Sequence, residues 1–267
     1  MLGPIDIAQY LLVALIFVPL ELIFPLRAEQ KLLRRHWQND LINLLCNGVI
    51  IQLGLFAAVG AMLWAIGLAI PHGVGEAVRA QPLWLQAAEA ILIADIGFYL
   101  AHRAFHAVPF LWKFHALHHS IEEMDWLAAY RVHPIDQVLT KSLSYLPMFA
   151  LGFSDAAIAI FVVTFKWQSI AIHSNNRIGL GPLKWIFATP QFHHWHHANE
   201  PEALDKNFAG QLVFLDWIGG TLHLPQVKPA RYGTDEPVPK RYDGQLLYPF
   251  RANLTLLTQR HGGAIRR

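Results

Sequence analysis

The chain has 267 residues, 54% hydrophobic and only 15% charged, with a formal net charge of +2 and one cysteine. A soluble domain carries about 25% charged residues, so this balance excludes an ordinary soluble enzyme, and the absence of a basic stripe excludes nucleic acid as the partner. The single cysteine, Cys46, excludes an intrachain disulfide, a cysteine-based zinc site and an iron–sulfur cluster.

The opening MLGPIDIAQY lacks a basic n-region and carries Asp6, so it does not read as a cleaved signal peptide. A membrane-spanning helix needs about 20 mostly apolar residues. Ile7 to Phe24 is the first candidate, with Glu21 near its end, and Leu41 to Ile70 is the second. Leu83 to Ala101 is the third and contains Glu89 and Asp95. Ile135 to Phe153 and Ala156 to Ile172 follow, so close together that a tight antiparallel hairpin is expected. After His173 no apolar run is long enough to span, and Pro225 to Tyr248 reads as an ordered but irregular surface segment. Arg27, Lys31, Arg34 and Arg35 between the first two spans, against Arg79 alone between the next two, put the 27–40 loop in the cytoplasm. Continuing that topology brings His102, His106, His173 and the residues after them to the same face.

Nine of the fifteen histidines fall in two bursts: His102, His106, His115, His118 and His119, then His193, His194, His196 and His197. Neutral imidazole is the commonest metal-ligating side chain. His102 and His106 are four apart at the end of a predicted helix and share a face. His115, His118 and His119 share one again, and His193, His196 and His197 repeat their spacing. A single zinc takes three or four protein ligands, so these eight imidazoles are too many for one ion and sufficient for two. Asp95, on roughly the stripe of His102, is expected to accept from a ligand imidazole and fix its tautomer, with Tyr99 between them. His194 is the weaker member of its burst. His36, His72, His223 and His261 are isolated and read as loop residues.

The stretches DIGFYLAHRAFH, HALHHS, YRVHP, HSN, TPQFHHWHH and NFAGQLVFLDWIGGT together resemble the fatty acid hydroxylase superfamily, the sterol desaturase-like membrane oxygenases, from about Asp95 to Thr221. The resemblance implies two iron ions that activate O2 to hydroxylate, or desaturate, an unactivated C–H bond of a lipid, zinc being a substitute ion in purified protein. It carries ligand roles onto His102, His106, His115, His118, His119, His193, His196 and His197, and adds His173 as a ninth. For His133 it implies a structural or substrate-side role ahead of ligation. Asn207, Asp216 and Thr221 match positions that support the ligands, with direct ligation by Asp216 the lesser alternative. The expected fold is an all-α integral membrane bundle of about four or five spanning or hairpin helices, with a cytoplasmic helical cap holding a polyhistidine dimetal site. The expected division within a single membrane domain, 1–267, is spanning helices over 7–82, the catalytic region over 83–223 and a cytoplasmic tail over 224–267.

A hydrophobic tunnel is expected for the lipid, with Trp64, Phe98, Phe105, Phe149, Phe165 and Trp167 as candidates for its walls. No nucleotide, haem or cysteine-cluster motif is present, so a separate electron donor of ferredoxin or cytochrome type is implied. Arg103, Lys113, Lys184 and Arg231 are candidates to contact that donor or membrane lipids. Lys166, a cation inside an apolar run, is expected to pair with Glu89 or Asp95. The absence of an endoplasmic-reticulum retrieval signal and of a fused cytochrome favours a bacterial inner membrane with the active site on its cytoplasmic side. The competing readings are a zinc-dependent membrane lipid hydrolase, for which no H-E-x-x-H supplies a base, and a metal-binding or transport protein, for which ionisable residues belong at the bilayer midplane.

Overall fold

The computed structural model describes residues 7–66 and 72–251. Among them it contains ten α-helices: α1 (Ile7–Ile23), α2 (Trp37–Ile66), α3 (His72–Arg79), α4 (Leu83–Ala107), α5 (Pro109–His119), α6 (Pro134–Ala150), α7 (Asp155–His173), α8 (Pro190–His196), α9 (Phe214–Ile218) and α10 (Tyr242–Arg251). No strand is present among the described residues, only isolated bridges such as Pro25 with Asn176. The fold is all-α, as expected. The end of the second predicted span, from 67 to 70, lies outside the described residues, as do Asp6 and His261.

Among the described residues three helices are long and apolar enough to cross a membrane: Trp37–Ala65, Leu83–Ala107 and Asp155–His173. The helices α1 and α6 have 17 residues each, about 25 Å at 1.5 Å per residue, which falls short of a hydrocarbon core of about 30 Å. The helix α6 is also interrupted by Pro147.

Only 151–154 separates α6 from α7, but the pair is not a simple two-helix hairpin. Both pack on α4, through a cluster that joins Ala90 and Ala94 of α4 to Met148 of α6 and to Ala157 and Phe161 of α7. The small residues on α4 let its backbone come close to α6. At Gly97 an added Cβ would stand 2.5 Å from the Leu143 carbonyl oxygen. The expected irregular tail contains a helix: α10 packs on α5 and α2, where Gln245 accepts from Asn39 at 2.9 Å and the Leu246 carbonyl accepts from His133.

Three of the helices around the site begin in the same way. Proline stands in the first turn of α5 (Pro109), α6 (Pro134) and α8 (Pro190), where the lost N–H has no intrahelical partner. Thr189 caps α8 by accepting from Phe192 N at 3.3 Å. Val108 ends α4 and begins α5, so the first two histidine-bearing helices are joined at a one-residue corner.

The close approach at Gly97 makes a stability prediction. Gly97→Ala should destabilise the protein by about 1–3 kcal/mol through forced separation of α4 and α6. Gly60→Ala, where an added Cβ meets nothing within 4 Å, should be neutral. Thermal unfolding of both variants in detergent checks the contrast.

Candidate metal centre

The structure gathers nine imidazoles into two buried groups. One comprises His102, His106, His115, His119 and His196; the other comprises His118, His173, His193 and His197, the candidate ligand atoms within each lying within 4.8 Å of one another. Helical spacing accounts for the partition. Residues four apart on a helix lie about 40° apart around its axis, and the residue at the third position lies about 100° from the fourth. On α5, His115 and His119 therefore serve one group while His118 faces the other. On α8 and its cap, His193 and His197 serve the second group and His196 faces the first. His102 and His106 from α4 complete the five, and His173 at the end of α7 completes the four.

Hydrogen bonds on the far side of five of the nine rings fix which nitrogen faces inward. His102 Nδ1 lies 2.7 Å from the Phe208 carbonyl, His118 Nδ1 3.1 Å from that of Arg131, His173 Nδ1 2.6 Å from that of Ser169, and His196 Nδ1 2.8 Å from that of Lys206. A carbonyl only accepts, so each Nδ1 carries the proton and each Nε2 presents a bare lone pair. His115 Nδ1 lies 2.7 Å from Asp136 Oδ2, which sets the same tautomer. These Nε2 atoms face one another: His102 to His115 at 3.0 Å and His118 to His173 at 3.0 Å. Two lone pairs at that separation repel unless a proton or a cation lies between them.

Burial argues against the proton. It holds the imidazoles of His118, His119, His193, His196 and His197 well below their ordinary pKa, so all five stay neutral. Nitrogens at right angles around an ion bound at about 2.1 Å lie about 3 Å apart, which matches the observed spacing. The donor set therefore fits two cations bound by neutral nitrogen.

The other predicted residues serve the backbone that carries these carbonyls. Asp95 does not bond a ligand imidazole. It accepts from the backbone N–H groups of Gly210, Gln211 and Leu212, at 3.0, 3.1 and 2.6 Å. The carboxylates on ligand rings are instead Asp136, in the first turn of α6 and bonded to His115, and the exposed Asp205, 3.2 Å from His106 Nδ1, positions the histidine spacing gave no reason to single out. Asp216 accepts from Phe208 N and Ala209 N and from the Thr221 hydroxyl. Asn207, at φ 59°, donates to the Phe192 carbonyl and accepts from His223 N. Together they pin the 206–212 loop whose carbonyls orient His102 and His196. At Gly210 an added Cβ would strike Asp95 and Phe165 at 3.0 Å. Tyr99 bonds Thr221 at 3.0 Å and receives a hydrogen bond from Arg103.

His194 and His133 lie outside both groups. His194 bonds Tyr232 at 2.8 Å. His133 caps α6, accepting from Ile135 N at 3.2 Å. Sequence reasoning also missed a buried ion network. Asp40 takes the guanidinium groups of both Arg34 and Arg131, and Arg34 also reaches Asp125 at 2.7 Å. Arg131 is the residue whose carbonyl orients His118. Arg34 was legible only as a loop charge.

A small cavity of about 60 Å3 lies against His102, His115, His118, His173 and His193. Phe98 and Phe165 line it; Phe105 packs beside His115, Trp167 stacks on Phe17, and Trp64 and Phe149 are 80% and 41% exposed, so four of the six proposed tunnel residues are not among its lining. Lys166 lies 5.3 Å from the Tyr10 ring centroid, while Glu89 accepts from Gln81 and Asp95 serves the 210–212 backbone. Lys113 is buried and no surface cation. Arg231 is exposed and donates to the Asn199 carbonyl.

The fatty acid hydroxylase family model matches residues 87–221, half of the chain and the whole stretch holding both groups. The chain belongs to the fatty acid hydroxylase family. It is 33% identical over 173 residues to the ornithine lipid hydroxylase OlsE of Rhizobium tropici, covering 63% of this chain and 51% of that protein. It is 34% identical over 149 residues to the alkylglycerol monooxygenase of Homo sapiens, covering 56% and 33%. Over 162 residues it is 31% identical to the very-long-chain aldehyde decarbonylase GL1-1 of Oryza sativa subsp. indica, covering 54% and 26%. The chain thus spans about half or less of the length of these curated relatives. No solved structure matches it. Neither the hydrolase nor the transport reading is favoured by these relatives.

The Asp136–His115 bond predicts a selective effect. Asp136→Ala should weaken binding of one cation by about 10–100-fold and leave the group built on His173 loaded. Competition with a chelator, followed by metal counting, separates the two sites.

Proposed function

We propose that this protein is a membrane-bound diiron oxygenase that hydroxylates, or desaturates, an unactivated C–H bond of a lipid, taking O2 as co-substrate and electrons from a separate donor. The observation that carries the reading is the pair of facing, bare-nitrogen histidine groups in a chain of the fatty acid hydroxylase family. One iron would be held by His102, His106, His115, His119 and His196, the other by His118, His173, His193 and His197. When bound, such a pair supplies the redox chemistry that activates O2.

The rest belongs to the chain. Asp136 and the carbonyls of Phe208, Arg131, Ser169 and Lys206 hold the ligand rings in one tautomer throughout turnover. The cavity beside His102 and His173 receives the reacting segment of the substrate; Phe98, Phe165 and Ile172 supply its apolar walls and keep bulk water away. At about 60 Å3 it admits only a short stretch of alkyl chain, so the lipid must widen it on entering. Gln137, Thr140 and Ser169 also face it and can hold a polar atom near the reacting carbon.

The cytoplasmic face is proposed for the site. Support comes from the basic 27–40 loop, which is tied to the histidine end by Arg27 N donating to Asn175 and Arg35 N donating to Glu123. Exposed Arg103 and Arg231 offer cations there to an acidic electron donor.

Protein from iron-supplied cells should hold about two irons per chain, and both His118→Ala and His196→Ala should lose the coupled spectroscopic signal. Lipid profiling of cells with and without the gene should then reveal an oxygenated lipid. One firmly bound zinc, with no iron taken up after anaerobic reconstitution, would overturn the oxygenase.

A further inference from the structure

A second hollow lies on the histidine end of the bundle, a groove of about 600 Å3 that plays no part in the proposed chemistry. Its position in the fold is defined by two chain segments that leave apolar helices. Leu26 follows α1 by three residues and Asn176 follows α7 by three, and the two segments are tied by the Pro25–Asn176 bridge. The groove therefore opens where the helices leave the hydrocarbon, at the boundary between bilayer and water.

Its composition suits that boundary. Between Arg177 and Phe187 the chain exposes a cluster of large apolar side chains, with Leu180, Leu183 and Trp185 at 41%, 50% and 53%. Such a patch on one short segment marks an interaction surface, and tryptophan is enriched at the headgroup level of membranes. Among the described residues the lining includes three cations, Arg177, Lys184 and Lys228, and no Asp or Glu. Arg177 is exposed and makes no ion pair among the described residues, and Lys184 lies over the Trp185 ring at 5.4 Å. Lys228 reaches the exposed Glu29 at 3.8 Å and donates to the Leu26 carbonyl at 3.5 Å. The floor includes Thr189 and Gln191, at the start of the helix that carries His193 and His196.

From these features we infer that the groove binds the phosphate headgroup of an anionic phospholipid, with its acyl chains running past Leu180 and Trp185 into the leaflet. Arg177, Lys184 and Lys228 neutralise the phosphate, and Thr189 and Gln191 bring the bound headgroup against the base of α8.

The test is native mass spectrometry of the full-length protein in detergent, with phosphatidylglycerol or phosphatidylcholine added. One phosphatidylglycerol per chain should be retained in preference to phosphatidylcholine. Arg177→Gln with Lys184→Gln should weaken that retention by about thirtyfold, from about 1 kcal/mol per basic residue. Arg177→Gln alone, at an exposed side chain without an ion-pair partner among the described residues, should weaken it about fivefold on the same basis and covers the case in which the double variant fails to fold. Arg241→Gln, at an exposed residue away from the groove, should change nothing. Equal retention of the two lipids, or unchanged retention in both groove variants, would overturn the inference. So would full competition by glycerol 3-phosphate, which would make the groove a site for soluble phosphates.

Discussion

The centre depends on hydrogen bonds made on the outer side of the imidazole rings. Each bond from Nδ1 to a backbone carbonyl or to Asp136 forces the bare lone pair of Nε2 inward. Without them the rings could alternate tautomers and bond one another, and the groups would close as ordinary buried polar clusters. With them, neighbouring nitrogens 3.0 Å apart present negative density to each other, and only a positive species between them relieves it. Burial disfavours the proton, and the arrangement suits a metal cation.

Backbone carbonyls can do this only if the backbone itself is held. Three buried aspartates take that role by accepting what the loops donate. Asp95 and Asp216 gather the N–H groups of 208–212, so the carbonyls of that loop turn toward His102 and His196. Asp40 does the same at one remove, fixing Arg131 through its guanidinium while the Arg131 carbonyl meets His118. A buried carboxylate is costly unless it is hydrogen-bonded or paired; backbone N–H groups satisfy Asp95 and Asp216, and two guanidinium groups pair with Asp40. The same arrangement gives separate reasons for Asn207, Thr221 and Gly210 in the stretch after the last histidines.

The long helices and the centre meet at one level. α4 and α7 run through the apolar part of the bundle and end in His102, His106 and His173. The small cavity between them opens on apolar α4 and α7 side chains from below and on Nε2 atoms from above. On the proposed reading, a lipid chain arriving along the helices would reach the histidine groups without crossing water. The basic groove lies at the same level on the outside, and α8 contributes to both.

The helical class, the apolar helices, eight of the nine clustered histidines and the recurrence of their three-residue pattern follow from composition and local spacing, because a helix fixes which residues share a face; His173 came only through the family resemblance. The same spacing suggests one shared face for each triplet, whereas the fold divides it, His118 and His196 each joining the opposite group from their neighbours. Which ring faces which partner was decided elsewhere. Asp136, Arg131 and Asp40 reach the site from loops and helix starts with no periodicity of their own. Asp95 lies on the expected stripe, yet it bonds a loop more than a hundred residues away in the chain. The register of that loop against α4 exists only once the chain has folded. Likewise α10 and the packing of both α6 and α7 on α4 rest on side-chain fit between distant segments, which hydropathy does not encode. Sequence by itself determined which groups can bind metal; tertiary structure decided their tautomers and their company, because hydrogen-bond direction depends on neighbours that only folding brings within reach.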